Sequence, residues 1–244
     1  MYKVCISSLC FLMLVGVASY YTKDLKSSPV NSEVKPKVVY LTFDDGPSKN
    51  TQAVLDVLAK YEVQATFFVT GQNPEFADMI KKEADMHHTI GVHTYSHSFK
   101  EIYSSIDAYF QDLDKMNHVI KEQTGKTSNV LRFPGGSSNT VSRNYSSGIM
   151  STLAKETEKR GYRYYDWNAT NGDGACGTNA SSLANTAIRE AGNQDSVVML
   201  MHDGTCNAAT AESLSQVIEH FKSQGYEFRG IDALTPVAHH TIAN

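Results

Sequence analysis

The sequence has no excess of positive charge, no apolar run of the ~20 residues that a membrane-spanning helix needs, and no internal repeat. Its 244 residues carry 22 Lys and Arg against 26 Asp and Glu, a formal net charge of −4, so it lacks the basic surface typical of nucleic-acid-binding proteins. A content of 41% hydrophobic and 20% charged residues excludes a disordered chain, a collagen-like repeat and a multi-span membrane protein. The length suits one domain of about 200 residues and an appendage.

The N-terminal segment is apolar but short. After Lys3, mostly apolar residues run from Val4 to Ala18, which is typical of the apolar region of a signal peptide. We therefore predict a signal peptide or N-terminal anchor over residues 1–19 and a polar linker over residues 20–37. The protein is expected to be secreted, or attached to the cell surface or cell wall.

Cysteine is scarce, with four residues in the chain. Cys5 and Cys10 lie in the predicted leader, so its cleavage would leave one pair, Cys176 and Cys206, in an oxidising compartment. Both follow predicted strand ends, which a barrel would place on one rim, and we expect them to form a disulfide. They lack the Cys-x-x-Cys spacing of a structural zinc site.

Short β-branched or aromatic segments alternate with helical patterns along the rest of the chain. The predicted strands cover residues 38–43, 65–69, 89–93, 130–133, 162–167, 197–201 and 227–229. The predicted helices cover residues 51–61, 74–85, 106–124, 150–160, 183–191 and 209–223. The alternation indicates a parallel α/β arrangement, and the pattern leaves open whether the sheet is open or closed into a barrel.

Residue types that carry chemistry collect at the ends of the predicted strands. The residues at or just after strand ends are Asp44, Asp45, His93, Arg132, Trp167 and His202. In α/β barrels the carboxyl ends of the strands carry the catalytic residues, so we expect these side chains to form one site.

Three of these positions, together with His97, contain the donor types of a metal site. Asp44 and Asp45 point to different sides of a strand end, so one can bind a metal while the other handles a proton, although Asp-Gly-Pro also favours a plain turn. His93 and His97 suit one face of a helical turn and can bind one divalent metal, although such a pair also occurs by chance. Two histidines and one aspartate form the ligand set of a catalytic zinc site with an open water position.

Three further segments supply polar groups. Arg132 can pair with a carboxylate and keep it ionised. Gly135 and the glycine after it leave a backbone N–H free to approach a substrate oxygen. Trp167 precedes the carboxylate of Asp173, and His202 ends a buried strand.

In this order the motifs resemble the polysaccharide deacetylase family, the NodB homology domain of carbohydrate esterase family 4. They are Thr-Phe-Asp-Asp-Gly-Pro-Ser at 42–48, His-Thr-Tyr-Ser-His at 93–97, Arg-Phe-Pro-Gly-Gly at 132–136, the segment 166–173, and the strand that ends in His-Asp at 202–203. The resemblance is strongest to bacterial peptidoglycan N-acetylglucosamine deacetylases. It implies an α/β fold, a distorted and shortened (β/α) barrel of the NodB homology type. This single catalytic domain covers residues 38–235, followed by a C-terminal tail at 236–244.

The resemblance also implies the catalytic roles. Asp44 matches the catalytic base, Arg132 the arginine that holds the base, His202 the catalytic acid, and Asp173 the carboxylate that orients the acid. Asp166 is the alternative for this last role.

The remaining implied roles concern metal and substrate. Asp45, His93 and His97 match the ligands of one divalent metal, zinc first, with cobalt or another divalent ion as alternatives. Trp167 and Leu200 match hydrophobic positions near the acetyl group, and the backbone N–H of Gly135 is expected to contact the substrate oxygen.

The sequence departs from the family pattern at Gly135 and Gly174, where the family often has aromatic residues that contact sugar. Both changes leave the substrate preference open. No role is assigned to the remaining histidines, of which His239 and His240 lie in the predicted tail.

The expected activity is metal-dependent hydrolysis of N-acetyl groups from N-acetylglucosamine residues of a cell-wall polysaccharide, with release of acetate. Peptidoglycan is the first expected substrate and a chitin-type oligosaccharide the next. An O-acetyl esterase acting on xylan or another glycan and a catalytically inactive carbohydrate-binding protein remain as alternatives. The polysaccharide is the expected partner, and neither nucleic acid nor an obligate protein partner is expected.

Overall fold

The computed structural model describes residues 36–244. The predicted signal peptide or anchor, Cys5 and Cys10, and the predicted linker up to residue 35 lie outside the described residues. Within the described part, no helix combines the length and the apolar character that crossing a bilayer requires.

Strands and helices alternate along the described residues. The strands are β1 (Val38–Asp44), β2 (Thr66–Val69), β3 (Thr89–Val92), β4 (Val130–Leu131), β5 (Arg163–Tyr164), β6 (Ala169–Thr170), β7 (Ser196–His202) and β8 (Glu227–Phe228). The helices are α1 (Thr51–Tyr61), α2 (Asp78–Asp85), α3 (Phe99–Ile102), α4 (Ile106–Thr124), α5 (Ile149–Lys159), α6 (Ala180–Ala191) and α7 (Ala208–Ser223), with 3₁₀ turns at Pro74–Phe76 and Val141–Asn144.

The strands form one parallel sheet in the order β5-β4-β3-β2-β1-β7-β6, with β8 beside the start of β1. β5 and β6 stand at opposite ends of this order, so the curled sheet is a half-barrel that stays open between them. This architecture confirms the predicted distorted, shortened barrel. Because all strands run the same way, their carboxyl ends share one rim.

The two faces of β1 show how the sheet is packed. Val39, Leu41 and Phe43 belong to the large hydrophobic cluster that also contains the buried residues of the helices. Val38 and Tyr40 belong to a smaller cluster on the opposite, inner face. Successive side chains of a strand alternate between its faces, so the last residue of β1 continues the inner face and lies at the rim.

Several predicted elements are confirmed, and others are wrong for identifiable reasons. α1 and α4 begin and end where predicted. The predicted strand 162–167 stops at Tyr164, because the chain then crosses to the far edge of the sheet and forms β6 there. The predicted helix 74–85 is divided into a 3₁₀ turn and α2. The short helix α3 has no counterpart among the predictions.

Residues 236–244 lie against the half-barrel. The carbonyl of Ala238 accepts a hydrogen bond from the Asp166 N–H (2.7 Å), and the Asn244 carbonyl accepts one from the Ser151 N–H (2.9 Å). The predicted tail is therefore an ordered part of the fold.

Candidate active site

Asp44 and Arg132 form a buried ion pair on the inner face of the half-barrel. Asp44 ends β1, and Nη1 of Arg132 donates to its Oδ1 at 2.8 Å. The same nitrogen donates to Thr42 Oγ1 (2.7 Å), while Nε and Nη2 donate to the carbonyls of Tyr165 and Asp166 (2.9 Å each). Arg132 is fully buried, and burial of an ion pair is tolerable only where the remaining donors are also satisfied.

Asp45, His93 and His97 converge at the rim next to this pair. Asp45 Oδ1 lies 3.6 Å from His93 Nε2 and 3.3 Å from His97 Nε2. One donor atom from each residue fits within a mutual separation of 4.8 Å. His93 Nδ1 lies 2.8 Å from the Arg132 carbonyl, which can only accept, so Nδ1 carries the proton and Nε2 offers its lone pair to the site.

Two observations on the same residues fit a divalent cation. Asp45 Oδ1 is buried and has no hydrogen-bond partner among the described residues. Burial, reinforced by the neighbouring His93, lowers the pKa of His97 and favours the neutral imidazole that can bind a metal. Two imidazole nitrogens and one carboxylate oxygen are a ligand set that zinc and cobalt accept.

The histidine pair does not sit on a helical turn as the spacing suggested. Thr94 and His97 have positive φ angles of 68° and 53°, so the segment after β3 is a tight loop. Asp112 on α4 holds this loop by accepting hydrogen bonds from the N–H groups of Tyr95 (2.5 Å) and Ser96 (3.1 Å). The sequence pattern did not indicate Asp112, because this residue lies outside the histidine motif, 17 positions after Tyr95 on α4.

Asp173 and His202 form a second carboxylate–imidazole pair at the rim. Asp44 and His202 are directly opposite each other on β1 and β7. His202 Nδ1 donates to Asp173 Oδ1 (2.7 Å), while the His202 N–H and Thr210 Oγ1 donate to Oδ2 (2.8 and 2.6 Å). Burial tends to lower the pKa of His202, but the hydrogen bond and charge of Asp173, with Asp44 and Asp45 adding, raise it to about 9. His202 is therefore an imidazolium at neutral pH.

A disulfide links the loop that follows Asp173 to the loop that follows His202. The structure links Cys176 to Cys206, with their Cα atoms 5.4 Å apart, which is the pairing predicted from the sequence. Asn207, next to Cys206, donates to the Asp173 carbonyl at 2.7 Å. The disulfide and this bond both tether the Asp173 loop to the His202 loop.

A diglycine turn lies between two aromatic rings, those of Phe99 and Trp167. Gly135 and Gly136 have φ angles of 75° and 78°, in the left-handed region. A Cβ on Gly135 would lie 3.1 Å from the Phe99 ring, and one on Gly136 would lie 3.0 Å from the Trp167 ring. Gly135 is exposed, and its N–H has no backbone partner among the described residues. Leu200 on β7 is 8% exposed.

Asp203, to which the sequence motif assigns no role, holds the Asp44–Asp45 turn in place. Its carboxylate accepts from Thr51 Oγ1 (2.5 Å), and its backbone carbonyl accepts from Ser48 Oγ (2.5 Å). A Cβ on Gly46 would collide with this carboxylate, which explains the glycine. Burial, partly offset by Thr51 and helped by the charge of Asp45, raises the pKa of Asp203 to about 7.

The comparisons with known proteins agree with this geometry. Residues 31–151 match the family model for polysaccharide deacetylase. The catalytic domain of a peptidoglycan N-acetylglucosamine deacetylase from Eubacterium rectale is 41% identical and superposes with a TM-score of 0.83, over 86% of this chain and 94% of that one. A cobalt-bound family 4 acetyl xylan esterase from Clostridium thermocellum is 32% identical with a TM-score of 0.65, over 80% of this chain and 88% of that one.

One curated relative is much longer than this chain. A bifunctional xylanase/deacetylase from Pseudobutyrivibrio xylanivorans is 31% identical over 204 residues, which are 81% of this chain. The chain spans 30% of that relative's length.

Proposed function

The chain belongs to the polysaccharide deacetylase family, the carbohydrate esterase family 4 hydrolases, and we propose that it removes N-acetyl groups from N-acetylglucosamine residues of a cell-wall polysaccharide. Peptidoglycan is the first substrate proposed and a chitin-type oligosaccharide the second. One observation carries the proposal. A buried carboxylate held by arginine and an imidazole held by a carboxylate occupy neighbouring strand ends, with a cluster of three candidate metal ligands beside them.

Asp45, His93 and His97 would hold the divalent cation, for which we propose zinc, with cobalt as the next choice. When bound, such a cation acts as a Lewis acid on the acetyl carbonyl and makes a water molecule more acidic. The loop held by Asp112 and the Nδ1–H bond of His93 to the Arg132 carbonyl keep the donor atoms directed into the site.

Asp44 is the general base. Arg132 occupies its Oδ1 and compensates the carboxylate charge, which leaves Oδ2 on the side of the metal cluster, 3.6 Å from His93 Nε2. We propose that Oδ2 takes one proton from the attacking water as its oxygen forms the bond to the acetyl carbon.

His202 is the general acid. Because Nδ1 donates to Asp173, the proton at Nε2 is the one available to substrate. It passes to the nitrogen of the amide as the C–N bond breaks, so that the leaving group departs as a neutral amine. The products are acetate and a glucosamine unit with a free amino group.

The diglycine turn is proposed to stabilise the transition state. The Gly135 N–H is proposed to donate to the carbonyl oxygen as negative charge develops there. Trp167 and Leu200 are proposed to enclose the acetyl methyl group, since both supply apolar surface at the same rim.

Acetyl ester hydrolysis on xylan is the second candidate function. The similarity to a family 4 acetyl xylan esterase supports it, and the same base, acid and metal ligands can hydrolyse an ester. An inactive carbohydrate-binding protein is disfavoured because Asp44 keeps its contact with Arg132 and His202 keeps its contact with Asp173. Secretion or attachment to the cell surface is proposed from the predicted leader alone.

Acetate release tests the proposal. Metal-stripped protein would be assayed on purified peptidoglycan, chitotetraose and acetylated xylan, with and without added zinc or cobalt. We expect metal-dependent release from the N-acetyl glycans that Asp44→Asn abolishes, while Asp56→Asn on the exposed face of α1 keeps full activity. Release from xylan alone would favour the esterase, and tight zinc binding without any release would favour the binding protein.

A further inference from the structure

The open side of the half-barrel is covered by the end of the chain. Residues 165–168 cross the gap between β5 and β6. We name residues 238–244 the C-terminal strap: its first residues, 238–240, lie along this crossing, and its last, 243–244, contact residues 142–151. The strap contacts the crossing through the hydrogen bond from the Asp166 N–H to the Ala238 carbonyl (2.7 Å). The fold thus places the strap directly behind Trp167.

Asp166 joins the strap to the diglycine turn. Its carboxylate is fully buried and accepts from the N–H and the Oγ of Ser137 (2.7 and 2.5 Å) and from the N–H of His240 (2.8 Å). Ser137 directly follows Gly136, so a single carboxylate fixes the turn and the strap together. The backbone carbonyl of Asp166 also accepts a hydrogen bond from Arg132, which connects this network to Asp44, the proposed catalytic base.

The ring of His240 holds Trp167. Its Nε2 lies 2.8 Å from the Trp167 carbonyl, which can only accept, so Nε2 carries a proton. Nδ1 lies 3.0 Å from Ser138 Oγ and can accept from that hydroxyl. The imidazole also packs edge-on against the indole, with 4.6 Å between ring centroids. Backbone and side chain of Trp167 are therefore both contacted by one histidine.

Trp167 also contacts the inner face of the half-barrel, where it packs against the smaller hydrophobic cluster that contains Val38 and Tyr40. The indole is half-buried and meets Gly136 on one side, while the guanidinium of Arg132 lies 5.6 Å from the ring. An aromatic ring that must present an apolar face to a sugar or acetyl group binds best when it is already fixed, because ordering it on binding costs affinity.

We propose that His240 is a positioning residue for substrate binding: from the C-terminal strap it fixes Trp167 against the diglycine turn, and so prepares the apolar wall that receives the N-acetylated sugar. The inference rests on the proposed function for the nature of the ligand. It does not rest on the metal.

His239 provides a matched control next to it in the chain. Its Nε2 lies 2.9 Å from the Tyr164 carbonyl and its ring stacks on Tyr164 at 3.8 Å, so it makes the same kinds of contact one residue earlier. Tyr164 is buried in the core, however, and takes no part in the site. Loss of His239 removes strap contacts without releasing Trp167.

The experiment uses the fluorescence of Trp167, the single tryptophan of the chain. Zinc-loaded wild type, His240→Ala, His240→Gln and His239→Ala would be compared by emission wavelength, acrylamide quenching and steady-state acetate release from chitotetraose. In His240→Ala we expect red-shifted emission, faster quenching and a KM raised about tenfold, the equivalent of one hydrogen bond, with kcat within about threefold. His240→Gln, which restores a donor near Nε2, should recover most of the KM.

The outcomes separate the two proposals. Equal effects of His240→Ala and His239→Ala, or unchanged emission and KM in His240→Ala, would overturn the positioning role. If His240→Ala does not fold, His240→Leu is compared with His239→Leu in the same way, because leucine fills the space of the ring but donates no hydrogen bond to the Trp167 carbonyl. If wild type releases no acetate from any glycan, the proposed function fails, whereas the hold on Trp167 is still decided by emission and quenching.

Discussion

Asp166 and Asp173 lie in the same segment and are both buried. Each carboxylate accepts a hydrogen bond from a histidine, one from a backbone N–H and the other from a ring nitrogen. Asp173 accepts from the ring Nδ1 of His202, whereas Asp166 accepts from the backbone N–H of His240. Each carboxylate also accepts a hydroxyl and a backbone N–H, so the two environments are otherwise similar.

The consequence of this difference is chemical. A carboxylate in contact with the imidazole stabilises its charged form, which is why the pKa of His202 rises to about 9 despite burial. The ring of His240 instead contacts a carbonyl and a hydroxyl, which are neutral, and the carboxylate of Asp166 fixes only the backbone. We therefore propose that the same residue pair makes a proton donor in one place and a support for Trp167 in the other.

The largest expected effect is on kcat, which should distinguish His202 from His240. His202→Ala removes the group that protonates the leaving amine, so kcat should fall by about 10²–10⁴. The measurement is steady-state acetate release at saturating substrate, with Zn²⁺ content checked for each variant. A comparable fall of kcat in His240→Ala would break the distinction between acid and support.

The second effect is on the pH dependence of kcat, which should distinguish Asp173 from Asp166. The acid must be protonated, so the rate of the wild type should fall as pH rises through about 9, the pKa of His202. Asp173→Asn removes the charge that raises this pKa, and we expect the alkaline limb of kcat to move to lower pH. Asp166→Asn should leave the limb where it is, and a shift there equal to that in Asp173→Asn would contradict the comparison.

The same shift has a consequence for stability. The folded-state pKa of His202 lies above its ordinary value of 6.5, so the charged pair stabilises the fold fully below pH 6.5 and loses this contribution as pH rises through about 9. Thermal unfolding of wild type and Asp173→Asn across this window should therefore converge at the alkaline end.

The smallest expected effect is that of adding a methyl group at Gly136, next to the indole of Trp167. Gly136→Ala places a Cβ 3.0 Å from the indole at a φ of 78°, and the left-handed backbone alone should lower the free energy of unfolding by about 1–2 kcal/mol. Gly161→Ala is the control, because its φ is 84° and a Cβ there meets nothing within 4 Å. Denaturant unfolding should show a similar loss in both, but only Gly136→Ala should shift the Trp167 emission. An equal shift in both would argue against the contact.

Much of the site could be predicted because it follows strand ends. Asp44 and His202 end adjacent parallel strands, so their proximity follows from the alternation of strands and helices together with the rim rule. The sequence pattern predicts a strand that continues past Tyr164 to residue 167, because β-branched and aromatic content does not indicate where a chain leaves a sheet. The left-handed Thr94 and His97 were missed because the spacing of two histidines does not specify the backbone between them.

The sequence by itself determined the alternating α/β pattern, the residue types of the proposed metal ligands and of the proposed acid and base, and the pairing of two cysteines. These are local features, carried by periodicity and by residue identity at strand ends. Only the tertiary structure decided which carboxylate meets which histidine. It also showed that Asp112 holds the ligand loop, that Asp203 holds the turn of the base, and that the last residues of the chain return to Trp167. Contacts such as that of His240 with Ser138 join positions 102 residues apart, and which distant residues meet is set by the packing of the whole domain rather than by any local pattern.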